Sequence, residues 1–182
     1  MSTQALIVVD IQNEYFPQGK LPLVGINEAT ANAALVIESA RQKGHTVIHV
    51  RHEMPDADAP IFTPNTGGVV INEKVKPAEG EAVIVKNYPN SFQQTSLKEM
   101  LDKEGIDEVT VIGAMSHMCI DATVRAAVDF GYKTTTIHDA CATLDLEFNG
   151  TKVPAAQVHA AIMAAFEFSY GEVTDTQTWI AG

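Results

Sequence analysis

A chain of 182 residues, 46% apolar and 19% charged, is long enough for one domain with a full core, and a single domain over residues 1–182 is expected. With 23 acidic residues against 12 basic ones the net charge is −11, and no Lys/Arg cluster breaks that balance, which argues against nucleic acid as a partner. No window approaches the roughly 18 uninterrupted apolar residues of a membrane span, and no basic segment leads into an apolar signal region, so no membrane is expected and the location reads as cytoplasmic.

The first predicted element is the strand Ala5–Val9 (ALIVV), a β-branched apolar run of the kind buried in parallel sheets. Asn27–Lys43 follows as a helix closed by Gly44, and Thr46–Val50 (TVIHV) as the second strand. The 31 residues between Val50 and Ala82 contain prolines, Gly67-Gly68 and acidic side chains, which predicts a functional loop overhanging the sheet. The strand Ala82–Val85 (AVIV), the helix Gln94–Lys103, the strand Glu108–Ile112 (EVTVI), the helix Met118–Phe130 and the strand Lys133–Ile137 (KTTTI) continue the alternation. Pro154–Phe166 reads as a further helix, Gly171–Thr174 as a short sixth strand, and the chain closes on a turn carrying Trp179. Strand, helix and strand in alternation imply a parallel sheet with helices on both faces, a three-layer α/β/α class.

In an open parallel sheet, ligands bind beyond the carboxyl ends of the strands. Three polar residues occupy such places: Asp10 after ALIVV, Lys86 after AVIV, and Cys119 seven residues past Ile112, at the start of the next predicted helix. A cysteine attacks as thiolate, and a helix N-terminus lowers its pKa through unpaired N–H groups and the positive dipole end. Lys86 adds a cation, while Asp10 can shuttle a proton and hold the ammonium in place. Each residue also has a plain structural role, as a core cysteine, a cap or turn aspartate and a solvated lysine. Cys141 has no evident charge partner and fits the plain role; with no CxxC motif, both thiols read as free. Ser116, His117 and Asp121 stand too close along one turn to face one another as a serine triad, so His117 is read as a pocket wall or a helix cap.

The segments VVDIQNEYF, VIVKNYPNSF and VIGAMSHMCIDATVRAAVDFGY, in this order, resemble the isochorismatase-like cysteine hydrolase superfamily, with support from the stretch Gly19–Gly25 and from Asp139-Ala140 after a strand. The resemblance implies a six-stranded parallel sheet in the order 3-2-1-4-5-6, assembly as a homodimer or homotetramer, and an Asp–Lys–Cys triad that falls on Asp10, Lys86 and Cys119. It also implies a non-proline cis peptide at Ala114–Met115 and an oxyanion hole from the N–H groups of Met115 and Cys119. Gln12, Phe16, Tyr88, Phe92 and His117 are candidate pocket residues, with core packing as their alternative role.

Nicotinamidases within the superfamily hold a metal with an Asp-x-His segment after the second strand. Here the segment is His49-Val50-Arg51-His52, with Val50 where the Asp is expected. Two histidines are fewer than the three or four ligands zinc uses, so neither metal nor cofactor is expected, with weak binding by His49 and His52 left open. The cysteine favours hydrolysis of a C–N bond in a small amide or carbamoyl compound, through an acyl-thioester on Cys119. The alternatives are vinyl ether hydrolysis in the same pocket and a non-catalytic small-molecule binding protein on the same fold. All three triad residues being present weighs against the last.

Overall fold

The computed structural model describes residues 4–182. Runs of Val, Ile and Thr form β1 (Gln4–Val9), β2 (Thr46–His52), β3 (Ala82–Lys86), β4 (Glu108–Ala114) and β5 (Lys133–Ala142); three shorter strands follow, β6 (Leu146–Phe148), β7 (Thr151–Val153) and β8 (Glu172–Thr174). Six of them make one sheet in the order β3-β2-β1-β4-β5-β8, parallel throughout. This is the expected order, with β8 as the sixth strand of the sheet.

Parallel neighbours need long crossovers, and helices supply them. They are α1 (Ile26–Lys43), α2 (Leu97–Lys103), α3 (Asp121–Asp129), α4 (Ala155–Ser169) and α5 (Thr176–Ala181). On α1 the buried Ile26, Ala29, Ala33, Val36, Ile37 and Ala40 recur at helical spacing and pack on Leu6, Val8, Val47 and Ile137. The opposite face of β1, carrying Ala5, Ile7 and Val9, packs with Leu97 and Leu101 of α2, Val124 of α3, and Met163 and Phe166 of α4. Because β1 is buried on both faces, its sequence is continuously apolar rather than alternating. Each fully buried Leu or Ile here contributes about 1.5–3 kcal/mol from burial.

The strands run further than their apolar cores. β2 continues to His52 and β3 to Lys86; β5 continues to Ala142, past an irregularity in its pairing with β4 between Val111 and Gly113. Asp139-Ala140 therefore lies inside β5, not after a strand. The antiparallel pair β6–β7 was not expected, although its turn residues Asn149 and Gly150 both have positive φ (49° and 77°), the backbone that Asn-Gly hairpins favour. The predicted helix from Met118 is also corrected. Residues Ser116–Ile120 form a wide π turn, with Ile120 N–H bonding five residues back to Met115 O at 3.2 Å, and α3 begins only at Asp121. The expected terminal turn is α5, capped by Asp175 accepting from Thr178 N–H.

Candidate active site

Asp10 directly follows β1, Lys86 is the last residue of β3, and Cys119 sits in the π turn after β4. The ends of β1 and β4 close on each other at Gly113, whose φ of 127° suits glycine and where a Cβ would collide with the Val9 carbonyl. Beyond it comes the cis peptide Ala114–Met115, at the expected position, and then the turn that swings Cys119 back over the sheet.

These supports bring Asp10, Lys86 and Cys119 together. Lys86 Nζ lies 2.7 Å from Asp10 Oδ2 and 3.2 Å from Cys119 Sγ, and the three residues are 1%, 0% and 6% exposed for Lys86, Asp10 and Cys119 respectively. Among the described residues, Asp10 Oδ1 has no assigned hydrogen-bond partner, so the carboxylate keeps acceptor capacity beyond its contact with Lys86 at Oδ2. A third group joins them: Lys86 Nζ is 3.2 Å from His52 Nδ1.

The electrostatics reverse one expectation. Burial and then the Asp10 charge push the Cys119 thiol well above the ordinary cysteine range, and the opposing pull of Lys86 does not overcome them. The cysteine also stands two residues before α3 rather than at its start. Desolvation thus opposes ionisation of the thiol more than the turn that carries it favours it. For Lys86, burial acts to lower the pKa, but the charges of Asp10 and Cys119 outweigh it and hold the ammonium above the ordinary lysine range. Burial, followed by the Lys86 charge, pushes His52 down to about 4, so its ring is neutral near pH 7. Burial and the charges of Cys119, Asp10 and Glu14 raise Tyr15 well above its usual value.

Aromatic side chains wall this cluster. The ring of Phe62, from the long loop between β2 and β3, meets Tyr15 and His52 edge-on at 5.1 and 5.3 Å. Buried Glu14 holds that loop: its Oε1 accepts from Phe62 N–H at 3.0 Å, and its Oε2 occupies the space a Cβ on Gly68 would need. The loop does overhang the site.

The candidate pocket residues divide. His117 is partly buried, with Nδ1 2.6 Å from Thr143 Oγ1, and burial lowers its pKa. Phe16 is buried beside a cavity of about 480 Å³ lined also by Asn13, Glu14 and Lys20. Tyr88 is 38% exposed just beyond β3. Gln12 and Phe92 take structural places instead. Gln12 donates to His52 O (2.9 Å) and Val69 O (2.8 Å) and accepts from His52 N–H (2.8 Å), which engages its whole amide; Phe92 packs against Phe130 and Tyr132.

His49 and His52 do not converge on a metal. Three residues apart on β2, they face opposite sides: His52 meets Lys86, while His49 Nε2 lies 3.1 Å from Glu81 Oε2. No group of three or more His, Cys, Asp or Glu side chains among the described residues is arranged to hold a metal ion. Ser116, His117 and Asp121 likewise have separate partners, His159, Thr143 and Arg125. Sequence reasoning missed Tyr15 and Phe62, and saw His52 only as a possible ligand. The signal for His52 was available, since β2 pairs His52 with Lys86 and so carries it to the same sheet edge.

A family model described as the Isochorismatase domain matches residues 4–178. An isochorismatase family protein of Bacillus subtilis, itself uncharacterized, is 48% identical, covering 98% of this chain and 99% of its own. The maleamate amidohydrolase of Pseudomonas putida is 30% identical over 74% of this chain and 70% of its own. A crystal structure from Oleispira antarctica, described as an isochorismatase hydrolase, superposes with a TM-score of 0.96 at 49% identity and covers 100% of both chains. The chain belongs to the isochorismatase family of hydrolases.

Proposed function

We propose that the protein is a cysteine amidohydrolase that cleaves a C–N bond of a small amide or carbamoyl compound without a metal. The observation that supports this reading is the buried cluster in which one ammonium touches both a thiol and a carboxylate with acceptor capacity to spare. The maleamate amidohydrolase among its relatives is consistent with an amide substrate.

In this mechanism Asp10 takes the Cys119 proton as Sγ bonds to the carbonyl carbon, which needs no preformed thiolate. The carbonyl oxygen gains the negative charge and is met by the N–H groups of Met115 and Cys119. The C–N bond then breaks, the leaving nitrogen takes the proton from Asp10, and an acyl-thioester remains on Cys119. Water, deprotonated by Asp10, attacks the thioester, releases the acid and restores the thiol. Lys86 holds the Asp10 charge in place and offsets negative charge on sulfur. Phe16, Tyr88 and His117 are the proposed substrate contacts. Free thiols suit a reducing, cytosolic setting. A homo-oligomer is the proposed state, supported by Phe148 and Phe168, which stand 77% and 89% exposed.

A screen of amides and carbamoyl compounds, read by released amine or ammonia, and of isochorismate, read by the carbonyl product of vinyl ether cleavage, identifies the substrate. On it, Cys119→Ala should lose at least about a thousandfold in kcat, and quenched wild-type protein should carry a substrate-sized adduct on Cys119. Near-wild-type turnover by Cys119→Ala would replace thioester chemistry with ether cleavage driven by Asp10.

A further inference from the structure

β2 ends on His52, in register with Lys86 at the end of β3. An ammonium carries three N–H donors, and where water is excluded each needs an acceptor. Lys86 Nζ has three neighbours at suitable distances: Asp10 Oδ2 at 2.7 Å, Cys119 Sγ at 3.2 Å and His52 Nδ1 at 3.2 Å. The imidazole can accept there only as the neutral tautomer with its hydrogen on Nε2, and Nε2 faces the thioether sulfur of Met54 at 3.4 Å, a weak acceptor. Burial and the adjacent Lys86 charge keep the ring neutral.

The ring is also held still. The Gln12 amide brackets the backbone of His52, accepting from its N–H at 2.8 Å and donating to its carbonyl at 2.9 Å, while Phe62 stands edge-on against the imidazole at 5.3 Å. Gln12 follows Asp10 by two residues, so one short segment carries the carboxylate and fixes the histidine.

We propose that His52 is a positioning residue: as a neutral acceptor it takes the third hydrogen of Lys86 and thereby keeps the other two directed at Asp10 and Cys119, with Gln12 as the bracket that holds it. The proposal rests on the reading of Cys119 as the nucleophile. Without His52 the buried ammonium has one unpaired N–H, and rotation to satisfy it carries the charge away from sulfur. The groups facing the imidazole are Lys86, Asp10, Met54 and Phe62; of these only Lys86 and Asp10 are charged.

The test needs no substrate. Iodoacetamide labelling of the folded protein is followed separately at Cys119 and Cys141 by peptide mass mapping, between about pH 6 and pH 10, where labelling tracks the thiolate fraction. His52→Leu should slow Cys119 labelling about tenfold across this range, the change expected when the thiol is pushed up by a further unit. His52→Asn, whose Oδ1 can stand where Nδ1 stood, should remain within about threefold of wild type. Cys141 should be unaffected in both variants. A merely structural role would loosen the core and speed both cysteines together; that result, or wild-type labelling of Cys119 in His52→Leu, overturns the proposal. Should the Leu variant fail to fold, ¹⁵N NMR of the wild-type imidazole decides: a neutral Nε2–H ring near pH 7 supports the assignment, and a charged or Nδ1–H ring overturns it. The nucleophile reading fails separately, if protein quenched during turnover carries no adduct on Cys119.

Discussion

Two carboxylates flank β2, half-buried Glu81 and wholly buried Asp10, and their surroundings differ. On the His49 face, Glu81 accepts from Arg41 at both oxygens (2.7 and 2.9 Å), from Ala78 N–H at 2.8 Å, and lies 3.1 Å from His49 Nε2. Burial acts to raise its pKa, but these bonds outweigh it and hold Glu81 at about 2. At the His52 end, Asp10 is wholly buried, with Oδ2 2.7 Å from the Lys86 ammonium and Oδ1 without an assigned hydrogen-bond partner among the described residues. A carboxylate with its lone pairs engaged ties elements together, here α1, β2 and the loop before β3. One with lone pairs unengaged in a dry site is ready to take a proton. The two differ in burial and, more tellingly for proton transfer, in hydrogen-bond saturation.

The contrast is tested most strongly at Asp10. Asp10→Asn should reduce turnover by about 10²–10⁴-fold, the usual worth of a general acid–base group, while speeding iodoacetamide labelling of Cys119, since the Asp10 charge opposes its ionisation. Slower labelling in that variant would break the comparison. Lys86→Met leaves Asp10 buried without its cation; a loss of about 3–5 kcal/mol in urea denaturation is expected, with slower labelling of Cys119.

Glu81→Gln should leave kcat within about threefold but cost about 1–3 kcal/mol, because it weakens a bidentate Arg contact far from the thiol. Its pH dependence sharpens the point. The folded pKa of Glu81 is depressed, so its stabilisation is fully present above the unfolded value of 4.5 and is lost as pH falls toward 2. Wild-type protein should lose about 1 kcal/mol across that window from this group, solvent screening at its half-exposed site allowed for, and the Gln variant should lack that component of the loss. The smallest effect is expected at Cys141, buried in β5 with its thiol pushed up to about 12 by burial: Cys141→Ala should keep full turnover and lose about 1 kcal/mol in denaturation.

Much of this architecture is legible in the chain because β1, β2 and β4 are buried on both faces and so read as unbroken apolar runs. Their ends are less legible. His52, Lys86 and His138–Ala142 continue the backbone ladder with side chains that carry no strand signature, so β2 reads as ending at Val50 and His52 drops from view. Asp10, Lys86 and Cys119 are legible from the rule that chemistry gathers at strand ends. Tyr15 and Phe62 are not, since long-range contacts of the loops bring them there. The upward push on the thiol is not legible for a related reason: desolvation is set by the whole fold, whereas a helix start can be read locally. The Asn149-Gly150 hairpin was readable and overlooked.

The ammonium beside the sulfur has a chemical consequence of its own. In the proposed mechanism, a thioester on a sulfur that lies 3.2 Å from Lys86 Nζ would invite aminolysis, passing the acyl group irreversibly to the lysine. A protonated nitrogen has no lone pair and cannot attack. The Asp10 charge that raises the Lys86 pKa, together with the acceptors Asp10 and His52 at its hydrogens, keeps it in that unreactive form. The same arrangement that supports the thiol thus guards the lysine against self-acylation, and an Nε-acylated Lys86 found by mass spectrometry in aged enzyme would mark the failure of that guard.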